Sequence, residues 1–200
     1  RPVSSAASDV YKRQIHDPES GAVFVNKRNA IHYENMSIAL AESVANQGQG
    51  FISSMAFGNG GTSVDPTGII TYLTPNSTGT NASLYNQTFT KIVDDRSVSN
   101  LDPQRNKIET RHVNGTNYTD VVVTCLLDYG EPNGQDATDT ASASDSLYVF
   151  DELGLTSYAS SGTGKLLTHV IFHPVQKSLN RLIQIDYTVR VQSLTGFNEG

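Results

Sequence analysis

Leu182-Ile-Gln-Ile-Asp-Tyr-Thr-Val-Arg-Val191 alternates without a break. Ile183, Ile185, Tyr187, Val189 and Val191 fall on one side; Gln184, Asp186, Thr188 and Arg190 fall on the other. Side chains along a strand point to opposite faces in turn. The stretch therefore predicts an antiparallel strand with one buried and one wet face, and its five apolar residues are assigned to the core. Just upstream, Leu166-Leu-Thr-His-Val-Ile-Phe172 is apolar, and Pro174 and Gln176-Lys-Ser178 separate the two runs. The two are expected to pair and close the fold as a hairpin.

The same signals recur upstream, at Leu147–Phe150, Tyr118–Leu127, Ile108–Val113, Thr88–Val93, Ile69–Leu73, Phe51–Phe57 and Ala22–Val25. Tyr118–Leu127 has branched or apolar residues on both faces, which predicts a central strand with Cys125 as a small core hydrophobe. Asn114-Gly115 marks the turn before it. Asn29–Gln47 reads differently. Tyr33, Met36, Leu40 and Val44 recur at steps of three and four, so a helix over about 29–47 is expected to turn these four toward the core. Asn26 or Asn29 is the expected cap, and Gly48 and Gly50 the stop. Glu131–Ser146 is a long polar loop and Ser157–Gly164 a turn. The expected fold class is mainly β: an antiparallel β-sandwich with one N-terminal amphipathic helix, α+β at the margin.

At 200 residues the chain has room for one domain. Its net charge of −6 argues against nucleic acid and anionic membranes, because phosphate binding is driven by Lys and Arg. No apolar run approaches the ~18–20 residues needed to cross a bilayer. The first fourteen residues, RPVSSAASDVYKRQ, stand apart. Ser4–Gln14 is the codon-by-codon translation of a transposase adapter used in preparing DNA libraries. Residues 1–14 are therefore expected to be a disordered, non-native tail of a metagenomic or shotgun assembly, with the natural N-terminus missing. Residues 15–193 form the expected domain, and 194–200 a C-terminal tail.

Catalytic patterns are sparse. Ser160-Ser-Gly-Thr-Gly-Lys165 resembles a phosphate loop, but Ala159 and Leu166 stand where glycine and Ser/Thr are needed, and a strand follows instead of a helix. It is read as a hairpin turn. His169 and His173 would lie roughly 13 Å apart along a strand, too far to share one zinc ion. They, His32 and His112 are read as half-exposed strand histidines. Asp94-Asp95, Asp136, Asp139, Asp145 and Asp151-Glu152 lack calcium-loop spacing and are read as solvated surface and turn residues. Six N-x-S/T sequons, at Asn35, Asn76, Asn81, Asn86, Asn114 and Asn117, are put down to an Asn/Ser/Thr-rich composition. No catalytic residue, metal site or cofactor is assigned, and no small-molecule ligand is expected.

The order of short motifs carries a resemblance. Ile38-Ala-Leu-Ala-Glu-Ser-Val-Ala45 precedes Met55-Ala-Phe-Gly-Asn-Gly-Gly-Thr-Ser63; Tyr148-Val-Phe-Asp-Glu-Leu-Gly-Leu155 and the closing strands follow. This resembles virion structural proteins of tailed bacteriophages, marine ones especially, and the pattern of tail-collar and tail-fibre attachment domains. The resemblance implies a non-enzymatic component of the tail, baseplate or fibre-attachment region, assembled in the bacterial host cytoplasm. Other virion proteins would be its partners, and a homo-oligomer its form. It makes Gly58, Gly60, Gly61, Glu152, Leu153 and Gly154 structural motif residues: Gly154 for a tight backbone position, Leu153 for the core, Glu152 for a local hydrogen bond. A capsid decoration or head protein is the nearest alternative. A carbohydrate-binding sandwich using Tyr72, Tyr85 and Tyr118 is a more distant one.

Overall fold

The computed structural model describes residues 7–27, 30–133, 148–162 and 164–193. Twelve strands and one helix follow in the order β1 (Ala7–His16), β2 (Val23–Lys27), β3 (Ala30–Ile31), α1 (Tyr33–Val44), β4 (Ile52–Gly58), β5 (Thr62–Val64), β6 (Ile70–Tyr72), β7 (Gln87–Ile92), β8 (Lys107–His112), β9 (Tyr118–Leu127), β10 (Tyr148–Ser157), β11 (Thr168–Lys177) and β12 (Ile183–Gln192). The protein is mainly β. One five-stranded antiparallel sheet runs β2-β1-β12-β9-β8, a second runs β3-β11-β10-β4-β7, and β5-β6 form a separate two-stranded arm.

One core fills the space between the two large sheets. Ile183, Ile185, Tyr187, Val123, Cys125 and Leu127 come from the first; Met55, Phe57, Phe150, Leu153, Leu155 and Phe172 come from the second. Val189 is 2% exposed and belongs to the same core, whereas Val191 is only half-buried, where β12 reaches the end of the sandwich. Phe150 meets Phe57 and Phe172 edge-to-face at centroid distances of 5.5 and 5.7 Å, a favoured aromatic geometry. β9 lies between β12 and β8, paired on both sides.

Several expectations are corrected. The closing hairpin does not form, because β11 pairs with β10 and β3 while β12 pairs with β9 and β1. Each strand buries a face against the same core, so residues 178–182 carry the chain from one sheet to the other. The first fourteen residues are not all a disordered tail: 7–14 form most of β1, in register with β12 from Ala7↔Gln192 to His16↔Gln184. A ladder is made by backbone groups, and β12 without β1 would present an unpaired edge. Residues 194–200 lie outside the described residues, as do 134–146 of the expected long loop and Leu147 of the strand expected after it.

The helix is shorter than expected, and its buried face is rotated. Asn35, Met36 and Ala39 are buried and Leu40 packs partly against the core, but Tyr33 is 66% exposed and Val44 87% exposed. Tyr33 opens the first turn and Val44 closes the last, so both lie beyond the stretch that the sheets cover. His32, not an asparagine, caps the helix, its Nδ1 accepting the Asn35 N–H at 3.1 Å. Asn26 lies in β2 and Asn29 outside the described residues.

Candidate functional site

The densest polar cluster of the buried interior centres on β10, where Asp151 and Glu152 follow Phe150 into the sheet. Both are buried, Asp151 at 3% and Glu152 at 0% exposure. A buried carboxylate is costly unless its oxygens find donors, and these two find them in the glycine loop after β4. Gly61 N–H donates to Asp151 Oδ1 at 2.9 Å, and Thr62 donates to Oδ2 from its N–H at 2.8 Å and from its hydroxyl. Glu152 Oε1 accepts Gly60 N–H at 3.1 Å and Asn86 N–H at 2.8 Å; Oε2 accepts Tyr85 N–H at 2.9 Å and lies 2.9 Å from His169 Nε2.

Glycine is required here by close approach. A Cβ on Gly58 would lie 2.5 Å from both the Asn86 carbonyl oxygen and Glu152 Oε1. One on Gly154 would lie 2.3 Å from the Thr168 carbonyl oxygen. Leu153, between the two motif residues, is fully buried in the main core.

His169 Nδ1 accepts the Asn76 N–H at 2.7 Å, so the ring proton sits on Nε2, pointed at Glu152. His32 repeats the arrangement, with Nδ1 on Asn35 N–H and Nε2 2.8 Å from the Gly79 carbonyl, which accepts its proton. Both imidazoles are fully buried and both hold the Thr74–Asn86 segment, which correlates two histidines far apart in sequence. Burial pushes the Glu152 carboxyl up, but the bonds from His169, Asn86, Tyr85 and Gly60 outweigh it and hold the pKa below the usual carboxylate value.

Other candidates fall elsewhere. Asp94 is buried at 6%, accepting Arg96 N–H at 3.1 Å beyond the end of β7; its own N–H bonds the Ser53 carbonyl, at the opposite end of β4 from the Gly58 that pairs with Glu152. Asp95, His112 and His173 are exposed. The reading of half-exposed histidines and solvated carboxylates therefore fails for His32, His169, Asp94, Asp151 and Glu152, all buried. Asp94 does make a local turn bond, to Arg96, and His32 a local cap, to Asn35; the other partners come from distant segments that no local pattern reveals. Asp136, Asp139 and Asp145 lie outside the described residues. Among the described residues no group of three or more His, Cys, Asp or Glu is placed to hold a metal ion, and no helix is long and apolar enough to cross a membrane.

Tyr72, Tyr85 and Tyr118 sit in three different settings. Tyr72 is on the β5-β6 arm, Tyr85 bonds the Thr74 carbonyl and packs on His169, and Tyr118 lies on β9 beneath the Arg190 guanidinium at 3.7 Å. Ser160–Lys165 lies in the β10–β11 turn, closed by the Ser157 N–H to the Lys165 carbonyl at 2.9 Å. Asn35, one of the sequon asparagines, is fully buried, its amide donating to the Leu166 carbonyl at 2.9 Å.

The fold and site together define an antiparallel β-sandwich whose buried acidic pair clamps two loops. No protein-family model, curated protein or solved structure matches the chain.

Proposed function

We propose that this chain is a structural component of a tailed-bacteriophage virion, placed in the tail, baseplate or fibre-attachment region and acting by protein–protein assembly rather than catalysis. What supports the reading is that two of the motifs carrying the resemblance, Met55–Ser63 and Tyr148–Leu155, meet in space. Gly60 and Gly61 of the first bond Glu152 and Asp151 of the second. Every carboxylate oxygen of that pair is engaged by donors from the chain itself, so the pair serves to hold loops in place. Such a clamp suits a part that keeps its shape while packing repeatedly against neighbours. Exposed Val64, Ile69, Tyr72 and Leu73 on and beside the β5-β6 arm offer apolar surface for those neighbours, copies of this chain among them.

Mass spectrometry of purified virions from a phage carrying the gene is the test. The protein is expected in the particle at a copy number that fits a symmetric ring or fibre. Its absence from intact virions overturns the proposal.

A further inference from the structure

Thr74–Asn86 is tied down at four residues by titratable side chains, and at Asn86 by Asn59 as well, whose N–H donates to the Asn86 carbonyl at 3.1 Å. His169 holds Asn76, His32 holds Gly79, and Glu152 holds Tyr85 and Asn86. Beneath the segment Leu84, 4% exposed, covers Ala56 and Leu166 in a small apolar cluster of its own.

We propose that Thr74–Asn86 is an acid-released strap: protonation of the buried histidines His32 and His169 frees it and uncovers the surface under Leu84. The inference goes beyond the assembly role and stands without it. Each imidazole has only one nitrogen left for a second proton, Nδ1, and each Nδ1 already accepts a main-chain N–H. A proton on His169 Nδ1 sets donor against donor and breaks the Asn76 bond. Glu152, facing His169 from β10, accommodates a positive ring at Nε2, so the bond that fails is the strap's. Tyr85, whose ring centroid is 5.7 Å from that of His169, is the other titratable group against it, and it moves with the strap. Asp151, beside Glu152, is turned to Gly61 and Thr62. His32 meets main-chain groups of Asn35 and Gly79; among the described residues no charged side chain bonds it, so a proton there places an uncompensated charge beside Gly79. Both events act in the same direction.

Amide hydrogen exchange of the full chain at pH 7.5 and pH 5.0, corrected for intrinsic exchange rates, tests this. Peptides within 74–86 are expected to lose at least tenfold more protection at pH 5.0 than peptides from β9 and β12. His169→Gln, which still accepts and donates but carries no imidazole to protonate, is expected to remove most of that difference. Asn76→Pro, which deletes the N–H and leaves the histidine intact, is expected to loosen the strap already at pH 7.5. Equal loss in strap and sheets of the unsubstituted protein overturns the proposal whatever the variants do. So does an undiminished acid response in a folded His169→Gln protein.

Discussion

His169 Nε2 lies 2.9 Å from Glu152 Oε2, with both side chains sealed from solvent. The two residues sit on neighbouring strands, β11 and β10, and through them the sheet grips loops from two other parts of the chain. This pair is where removal of a single group has the widest effect.

Glu152→Ala leaves the N–H groups of Gly60, Tyr85 and Asn86 and the ring of His169 without their acceptor. Breaking such a buried set is expected to destabilise the fold by about 3–5 kcal/mol. Glu152→Gln, which keeps one acceptor oxygen, is expected to lose less. Urea unfolding followed by circular dichroism measures both, and a Glu152→Gln protein as stable as the parent would mean that the carboxylate charge is irrelevant.

The helix offers a sharper contrast. Met36→Ala removes a core side chain that is 6% exposed and is expected to destabilise by about 2–5 kcal/mol. Tyr33→Ala and Val44→Ala, at positions 66% and 87% exposed, are expected to stay within about 0.5 kcal/mol of the parent. The same unfolding measurement ranks all three.

Lys177 is fully buried at the end of β11, donating to the Ser178 and Tyr129 carbonyls at 2.9 and 3.3 Å. Burial lowers its pKa from 10.5 to about 8, against the pull of Glu131 and Asp128. Between those values the unfolded chain holds a proton that the folded chain has released. The Lys177 contribution to stability is therefore flat below about pH 8 and grows as pH rises toward 10.5. Cys125 and Tyr148 act oppositely at high pH, so the observable is the difference between the parent and Lys177→Met. That difference is expected to move in the parent's favour above pH 8; a pH-independent difference would rule out the depressed pKa.

Cys125 is fully buried, and burial pushes its thiol up to about 12. Reaction with a colorimetric disulfide reagent at pH 8 is expected to be negligible in the folded protein and complete in denaturant. Rapid labelling of the native chain would place Cys125 at the surface.

Beginning the chain at Ile15 removes most of β1 and uncovers the β12 edge from Asp186 to Gln192, while keeping the His16–Asp186 contact at 2.9 Å. The shortened protein is expected to retain its β signature in circular dichroism, to melt at a lower temperature and to associate with rising concentration. Unchanged melting and a clean monomer on size-exclusion chromatography would show that β1 contributes nothing.

The strands were largely legible. Alternation at Leu182–Val191 and the apolar run at Tyr118–Leu127 each locate a strand of the observed length, because period-two patterning follows from burial of one face or both. The helix existed where the period of 3.6 put it, but its face did not, because Tyr33 and Val44 share the stripe while the sheets cover only the middle turns. The clamp was half legible. Glu152 and Gly154 could be singled out within Asp151-Glu-Leu-Gly-Leu155 by the resemblance, but the strand read at Leu147–Phe150 stopped short of the two carboxylates, which β10 includes on its way to Ser157. Their donors at Gly60, Gly61, Tyr85, Asn86 and His169 could not be read, since each contact joins segments with no local pattern in common.

The sequence by itself determined the mainly β class, most of the strands and the one helix, all properties of neighbouring residues. Only the tertiary structure decided that β11 and β12 lie in opposite sheets, that residues 7–14 complete one of them, and that His32 and His169 hold the same strap. Those outcomes depend on which backbone edges and buried polar groups find partners across the core, and partners far apart along the chain leave no periodic trace in it.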